Sequence, residues 1–128
     1  MKNKNLKKAL LANATFSTIS GLTMLLFYKQ LAAWMNITYA PIFLVIGIIL
    51  LLFALFLFST AKGNPISTKK VKFIILQDWL WVFGSILLIG TQAFGISQAG
   101  YIAIGVVALI VADLALLQHW FVTIENRE

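Results

Sequence analysis

Four apolar runs, each near the length that crosses a lipid bilayer, leave this chain few folds to choose from. They extend from about Ala9 to Phe27, from Pro41 to about Ser59, from about Phe73 to Phe94 and from about Tyr101 to Val122. A helix rising 1.5 Å per residue needs about 20 apolar residues to cross a hydrocarbon layer about 30 Å thick. Composition agrees. Of the 128 residues, 61% are hydrophobic and 11% charged, against about 45–50% and about 25% in soluble domains. No stretch between the runs is long enough for a separate soluble domain. The expectation is a single all-α membrane domain over residues 1–128: four transmembrane helices in an up-down-up-down bundle.

The basic residues set an expected orientation. Lys2, Lys4, Lys7 and Lys8 precede the first run, Lys62, Lys69, Lys70 and Lys72 separate the second from the third, and Arg127 follows the fourth. Only Lys29 falls on the opposite side. Lysine and arginine concentrate in cytoplasmic loops, so both termini and the loop 60–72 are expected on the cytoplasmic side. The net charge of +6 therefore reads as topology signal and lipid-headgroup contact rather than as a nucleic-acid surface. A cleaved signal peptide is the rival reading of the first run. The run is longer than a usual signal core, and Leu31-Ala32-Ala33 makes a poor cleavage site.

The connections carry signals of their own. Pro41 suits the first turn of a helix. The loop Ala61–Val71 holds Gly63, Pro65, Ser67 and Thr68 and reads as irregular. Gly95 to Gly100 is short enough for a tight hairpin. Leu31, Trp34 and Met35 are spaced to form one turn of a helix lying along the outer interface. A parallel internal repeat is also suggested. Asn13 and Ser20-Gly21 match Gln77 and Gly84-Ser85, while Gly47 and Ala54 match Gly105 and Ala112.

Chemistry is restricted by what is missing. Without cysteine there are no disulfides, thiolate metal sites or thiol redox steps. With one histidine, His119, a multi-histidine metal or haem site would need several subunits. No cofactor and no metal are expected. What remains is polarity inside the spans. Asp78 and Asp113 are the only acidic residues before Glu125, and carboxylates in hydrocarbon usually face a bundle interior or a watery cavity. Asp78, Ser85 and Gln92 recur every seven residues on one helical face, which Trp81 shares and Gln77 adjoins. Asn13, Ser17 and Ser20 form a second stripe in the first run. In the fourth run, Gly105, Ala108, Ala112 and Ala115 make a small-residue seam that His119 continues, and Asp113 lies off it.

At 1.5 Å per residue, Asp78 is about 9 Å past Lys72 and Asp113 about 13 Å before Val122. Asn13, Asp78, Asp113 and His119 all fall in the basic half, where three helices could converge on one inward-opening site. If the two carboxylates were close, repulsion and desolvation would favour a proton held between them. The structural readings are as concrete. Asp78 can be interhelical glue, bonded to Asn13, a tryptophan N–H or water. His119 suits the interface, and the tryptophans suit packing and anchoring. Asn36-Ile37-Thr38 matches a glycosylation sequon.

The run Asp78-Trp79-Leu80-Trp81-Val82 with Gly84-Ser85, and the stretch Asn13 to Gly21, resemble small bacterial four-helix integral membrane proteins of unknown function. That resemblance implies a four-helix, multi-pass protein of the bacterial cytoplasmic (inner) membrane and supplies no substrate. Small multidrug exporters differ, since they use a first-helix glutamate that this chain lacks. Three classes of function stay open. One is an oligomeric proton- or cation-linked small transporter or channel-like protein. Its site candidates are Asp78, Asp113, Asn13, Ser17, Ser85 and Trp81, with His119, Gln77 and Gln92 behind them. The second is a non-catalytic accessory subunit of a membrane complex. The third, a lipid-acting enzyme, has no nucleophile–base arrangement to support it. Partners are the bilayer and either further copies or another membrane protein.

Overall fold

A computed structural model describes residues 3–63 and 66–127 and is helical throughout its ordered elements. The helices are α1 (Asn3–Leu26), α2 (Tyr28–Met35), α3 (Ile42–Ala61), α4 (Thr68–Thr91) and α5 (Gln98–Arg127), with one 3-10 turn at Ala93–Gly95. Four of them, α1, α3, α4 and α5, are long and apolar enough to cross a membrane. Lys2 and Pro65 lie outside the described residues, as does the side chain of Arg127.

The helices outrun the apolar windows at their basic ends. α1 already contains Lys4, Lys7 and Lys8, and α4 contains Lys69, Lys70 and Lys72. A hydropathy window sees only the part of a helix that sits in hydrocarbon, whereas backbone hydrogen bonding carries on through lysine, a good helix former. Of the stretch expected to be irregular, Thr68–Val71 is therefore helix, while Lys62, Gly63, Ile66 and Ser67 lie outside the helices as expected. Ser67 starts α4 by accepting a hydrogen bond from the Lys70 N–H at 3.4 Å.

The helices pack in two pairs, α1 with α3 and α4 with α5, and α1 against α5 joins the pairs. α3 and α4 scarcely touch; the edge-on contact of Phe56 with Phe73, 5.7 Å between ring centres, lies beside their connecting loop. The α1–α3 pair is the closest. A Cβ on Gly21 would stand 2.9 Å from the Gly47 carbonyl oxygen, and one on Gly47 would stand 2.9 Å from the Gly21 oxygen. Small residues at such crossings let backbones approach and gain dispersion contacts. In the α4–α5 pair, Gly84 has open space around it and Gly105 meets only Ile89, at 3.6 Å. The internal repeat read from glycine positions is thus not repeated in the packing.

Buried apolar side chains form two separate clusters, one at each end of the bundle. Leu6, Leu10, Leu57, Ile66, Val71, Ile74 and Val122 fill the basic end. Ala32, Met35, Phe43 and Ile96 fill the other, flanked by Tyr28, Tyr101 and Ile104. At that second end α2 does form, with Met35 buried and Trp34 exposed. It docks on the turn after α4: Ser97 Oγ donates to the Trp34 carbonyl at 2.9 Å, the Ser97 N–H to the Met35 carbonyl at 2.9 Å, and Asn36 Nδ2 to the Gly95 carbonyl at 3.1 Å. The amide nitrogen of the sequon asparagine is engaged in that contact. Elsewhere the spans show broad apolar faces, with Leu52, Leu55 and Leu109 each more than 60% exposed. Faces of this extent suit hydrocarbon and not water.

Candidate functional site

Between the two apolar clusters lies a polar layer built from three helices. Helical spacing of four puts Ser17 one turn beyond Asn13 on the inner face of α1. The same periodicity sets Asp78, Val82 and Ser85 on the buried face of α4. On α5 the buried positions Ala108, Val111, Ala115, Gln118 and Val122 are spaced by three and four. Where these faces meet, Asn13 is 1%, Gln118 0% and Asp78 4% exposed.

The three side chains close a triangle. Asn13 Nδ2 donates to Asp78 Oδ2 at 2.9 Å and to Gln118 Oε1 at 3.0 Å. Gln118 Nε2 donates to the same Asp78 Oδ2 at 2.8 Å. Ser17 Oγ reaches Asn13 Oδ1 at the long distance of 3.5 Å. Two amides thus converge on one carboxylate oxygen. Among the described residues no hydrogen bond or ion pair reaches the other oxygen, Oδ1.

Asp78 also lines a cavity of about 150 Å³. Asn13, Ser17, Ser20, Gln77 and Trp81 line it beside Asp78, and Phe16, Met24, Ile49, Leu50, Phe53, Val107 and Val111 complete a largely apolar wall. All four long helices take part. From the polar layer the cavity runs away from the basic end, toward Met24 on α1, Ile49 on α3 and Val107 on α5. Leu6, Leu10, Val71 and Ile74, each at most 1% exposed, close the basic side. The site therefore does not open toward the lysine-rich end, as its depth had suggested. Its wall includes α3 and α4, which touch only sparsely.

The remaining candidates are dispersed. Ser85 is buried, but its hydroxyl bonds back to the Trp81 carbonyl at 2.8 Å, which satisfies it within its own helix. Gln92 leaves the α4 stripe altogether: the helix ends at Thr91, and Gln92 takes a left-handed cap with φ 52°. Asp113 and His119 are exposed on the outside of α5. Asp113 and Gln118 differ by five residues, about 140° around the helix, so the two aspartates are not brought together. Gln118 was missed by sequence reading. Two seams with spacings of three and four run along α5, sharing Ala108 and Ala115. The seam of small residues leads to His119, whereas the one that is buried runs through Val111 to Gln118. A polar amide continuing an apolar three-four pattern was the available signal.

Among the described residues no group of three or more His, Asp or Glu could hold a metal ion. Compared with protein-family models, with curated proteins and with solved structures, the chain finds no match.

Proposed function

We propose that this chain is a multi-pass inner-membrane protein that binds a proton or a small cation at Asp78, as part of a small transporter or channel-like protein. In this reading the long helices run up-down-up-down, with both termini and the α3–α4 loop on the cytoplasmic side, as the lysine distribution implies. The observation that carries the proposal is the half-satisfied carboxylate. Asp78 has one oxygen held by two amides and the other without a partner among the described residues, on the wall of a cavity large enough for a small organic molecule. Trp81, Phe16 and Phe53 share that wall, and aromatic faces attract ammonium groups. A small alkylammonium ion matches both the charge and the lining.

The second reading, an accessory subunit without turnover, has an observation of its own. The Asn13–Asp78–Gln118 triangle ties three helices together and would serve as a clamp with no ligand at all. Titration of tetramethylammonium into purified protein, followed by tryptophan fluorescence, separates the two readings. Binding predicts a saturable change that Asp78→Asn abolishes while helicity and elution volume are kept, because asparagine still accepts from both amides. An unsaturable response in the native protein, or an equal response in Asp78→Asn, leaves the clamp. Proton or cation flux into proteoliposomes then tests transport itself.

A further inference from the structure

The cavity beside Asp78 is closed along the helix axes. Among the described residues no fully covered side-chain oxygen or nitrogen lacks a partner. Asp78 Oδ1 has none, so that oxygen is not fully covered by protein and faces the cavity that its residue lines. Toward the basic end the way is shut by Leu6, Leu10, Val71 and Ile74. Toward the other end the cavity stops at Met24, which packs under the cluster of Ala32, Met35, Phe43 and Ile96.

The sides of the bundle differ from one another. Contacts of α1 with α3, of α4 with α5 and of α1 with α5 close three of them, and α3 with α4 is the sparse one. The lining residues grade the same way. Asn13, Ser17, Asp78 and Val111 form a buried floor on α1, α4 and α5. On α3 no lining residue is buried: Ile49 is 57% exposed, and Leu50 and Phe53 are half-buried, as are Gln77 and Trp81 on α4. Ile49 stands about 4 Å from the midpoint of Ile42–Ala61, and Trp81 about 2 Å from that of Thr68–Thr91. In a bilayer, an opening between these residues meets hydrocarbon and not water.

We infer, taking Asp78 as the ligand site proposed above, that its ligand is a long-chain aliphatic amine that enters sideways from the bilayer between α3 and α4. A cavity of about 150 Å³ holds a molecule the size of benzene. It therefore takes an amine head and a few carbons, and a longer tail leaves through the mouth and stays in hydrocarbon. An acidic head would find no donor there. Among the described residues no lysine or arginine lines the cavity, and both amides of the triangle already donate to Asp78 Oδ2. An amine complements Oδ1 in either charge state, because carboxyl and amine hold one proton between them whichever brought it. The aromatic faces of Trp81, Phe16 and Phe53 suit the ammonium form.

The probe is N,N-dimethyldecylamine with a diazirine at the end of its tail, photolysed with the full chain in liposomes, and the adducts are located by mass spectrometry. Adducts are expected to concentrate around Ile49 and Trp81 and to be competed by unlabelled dimethyldecylamine but not by decanoic acid. Decanol bearing the same diazirine should label the outward faces evenly. Asp78→Asn keeps the acceptor for both amides but cannot share a proton, so adducts at the mouth should fall about tenfold, the size of one charge-assisted hydrogen bond. Ile49→Trp, at an exposed position, narrows the mouth without touching Asp78 and should also lower them. Even labelling by the amine, competition by decanoic acid, or undiminished adducts in either variant would overturn the inference. Saturable tetramethylammonium binding alongside any of these results leaves Asp78 a site for a small ion and refutes only the class and route assigned here. Absence of both responses refutes the two together.

Discussion

Replacing Asn13 by alanine removes the hub of the polar layer, and the cost can be worked from its bonds. Asn13 Nδ2 serves two acceptors, Asp78 Oδ2 and Gln118 Oε1. Interhelical hydrogen bonds in membrane proteins average about 0.6 kcal/mol, so their loss costs about 1.2 kcal/mol. Asp78 Oδ2 keeps its bond from Gln118, but Gln118 Oε1 loses its donor in a fully buried position. Leaving a buried acceptor unpaired adds about 1–3 kcal/mol. Asn13→Ala is therefore expected to destabilise by about 2–4 kcal/mol. The assay is equilibrium unfolding in mixed micelles of rising SDS fraction, followed by tryptophan fluorescence. Thr15→Ala is the control: Thr15 is exposed and bonded to its own helix, and it should shift stability by less than about 0.5 kcal/mol. The double mutant Asn13→Ala/Gln118→Ala removes both donors to Asp78 Oδ2 and should destabilise more than Asn13→Ala alone. Equal stability of the two, or an Asn13→Ala variant within about 0.5 kcal/mol of the native protein, would refute the view that this triangle ties the helices together.

Other expectations follow from individual contacts. Gly47→Val should destabilise by about 1–3 kcal/mol in the same assay, because even its Cβ would press on the Gly21 carbonyl and Leu25; Gly84→Ala, with open space around it, should be neutral or mildly stabilising. Ser97→Ala removes both the hydroxyl bond to the Trp34 carbonyl and the acceptor for the Gly100 N–H at 3.0 Å. A loss of about 1 kcal/mol is expected, together with faster amide exchange in α2 measured by mass spectrometry. For orientation, a membrane-impermeant maleimide should label Tyr39→Cys in intact cells, while Lys62→Cys should react only after lysis; the reverse pattern would invert the proposed topology.

Much of the architecture was legible because hydrocarbon imposes length and apolarity on any helix that crosses it. That constraint acts on one segment at a time, so four helices long and apolar enough to cross a membrane and the helical turn around Leu31–Met35 could be read from the chain alone, and the inward placement of Asp78 and Asn13 followed from the cost of exposing them. Helix ends were less legible, since lysine lowers hydropathy without interrupting backbone hydrogen bonds, as α1 and α4 show. The site was decided by tertiary structure. Periodicity tells which residues of a helix share a face but not the angle at which that face is presented. A rotation of one position on α5 exchanges His119 for Gln118 in the layer with Asp78, and it sends Asp113 outward. Likewise, the sparse meeting of α3 with α4 and the cavity that both help to line depend on how the two helix pairs lean together. No single segment encodes that relation. It arises from the Gly21–Gly47 approach on one side and the Asn13–Asp78–Gln118 bonds on the other, acting together.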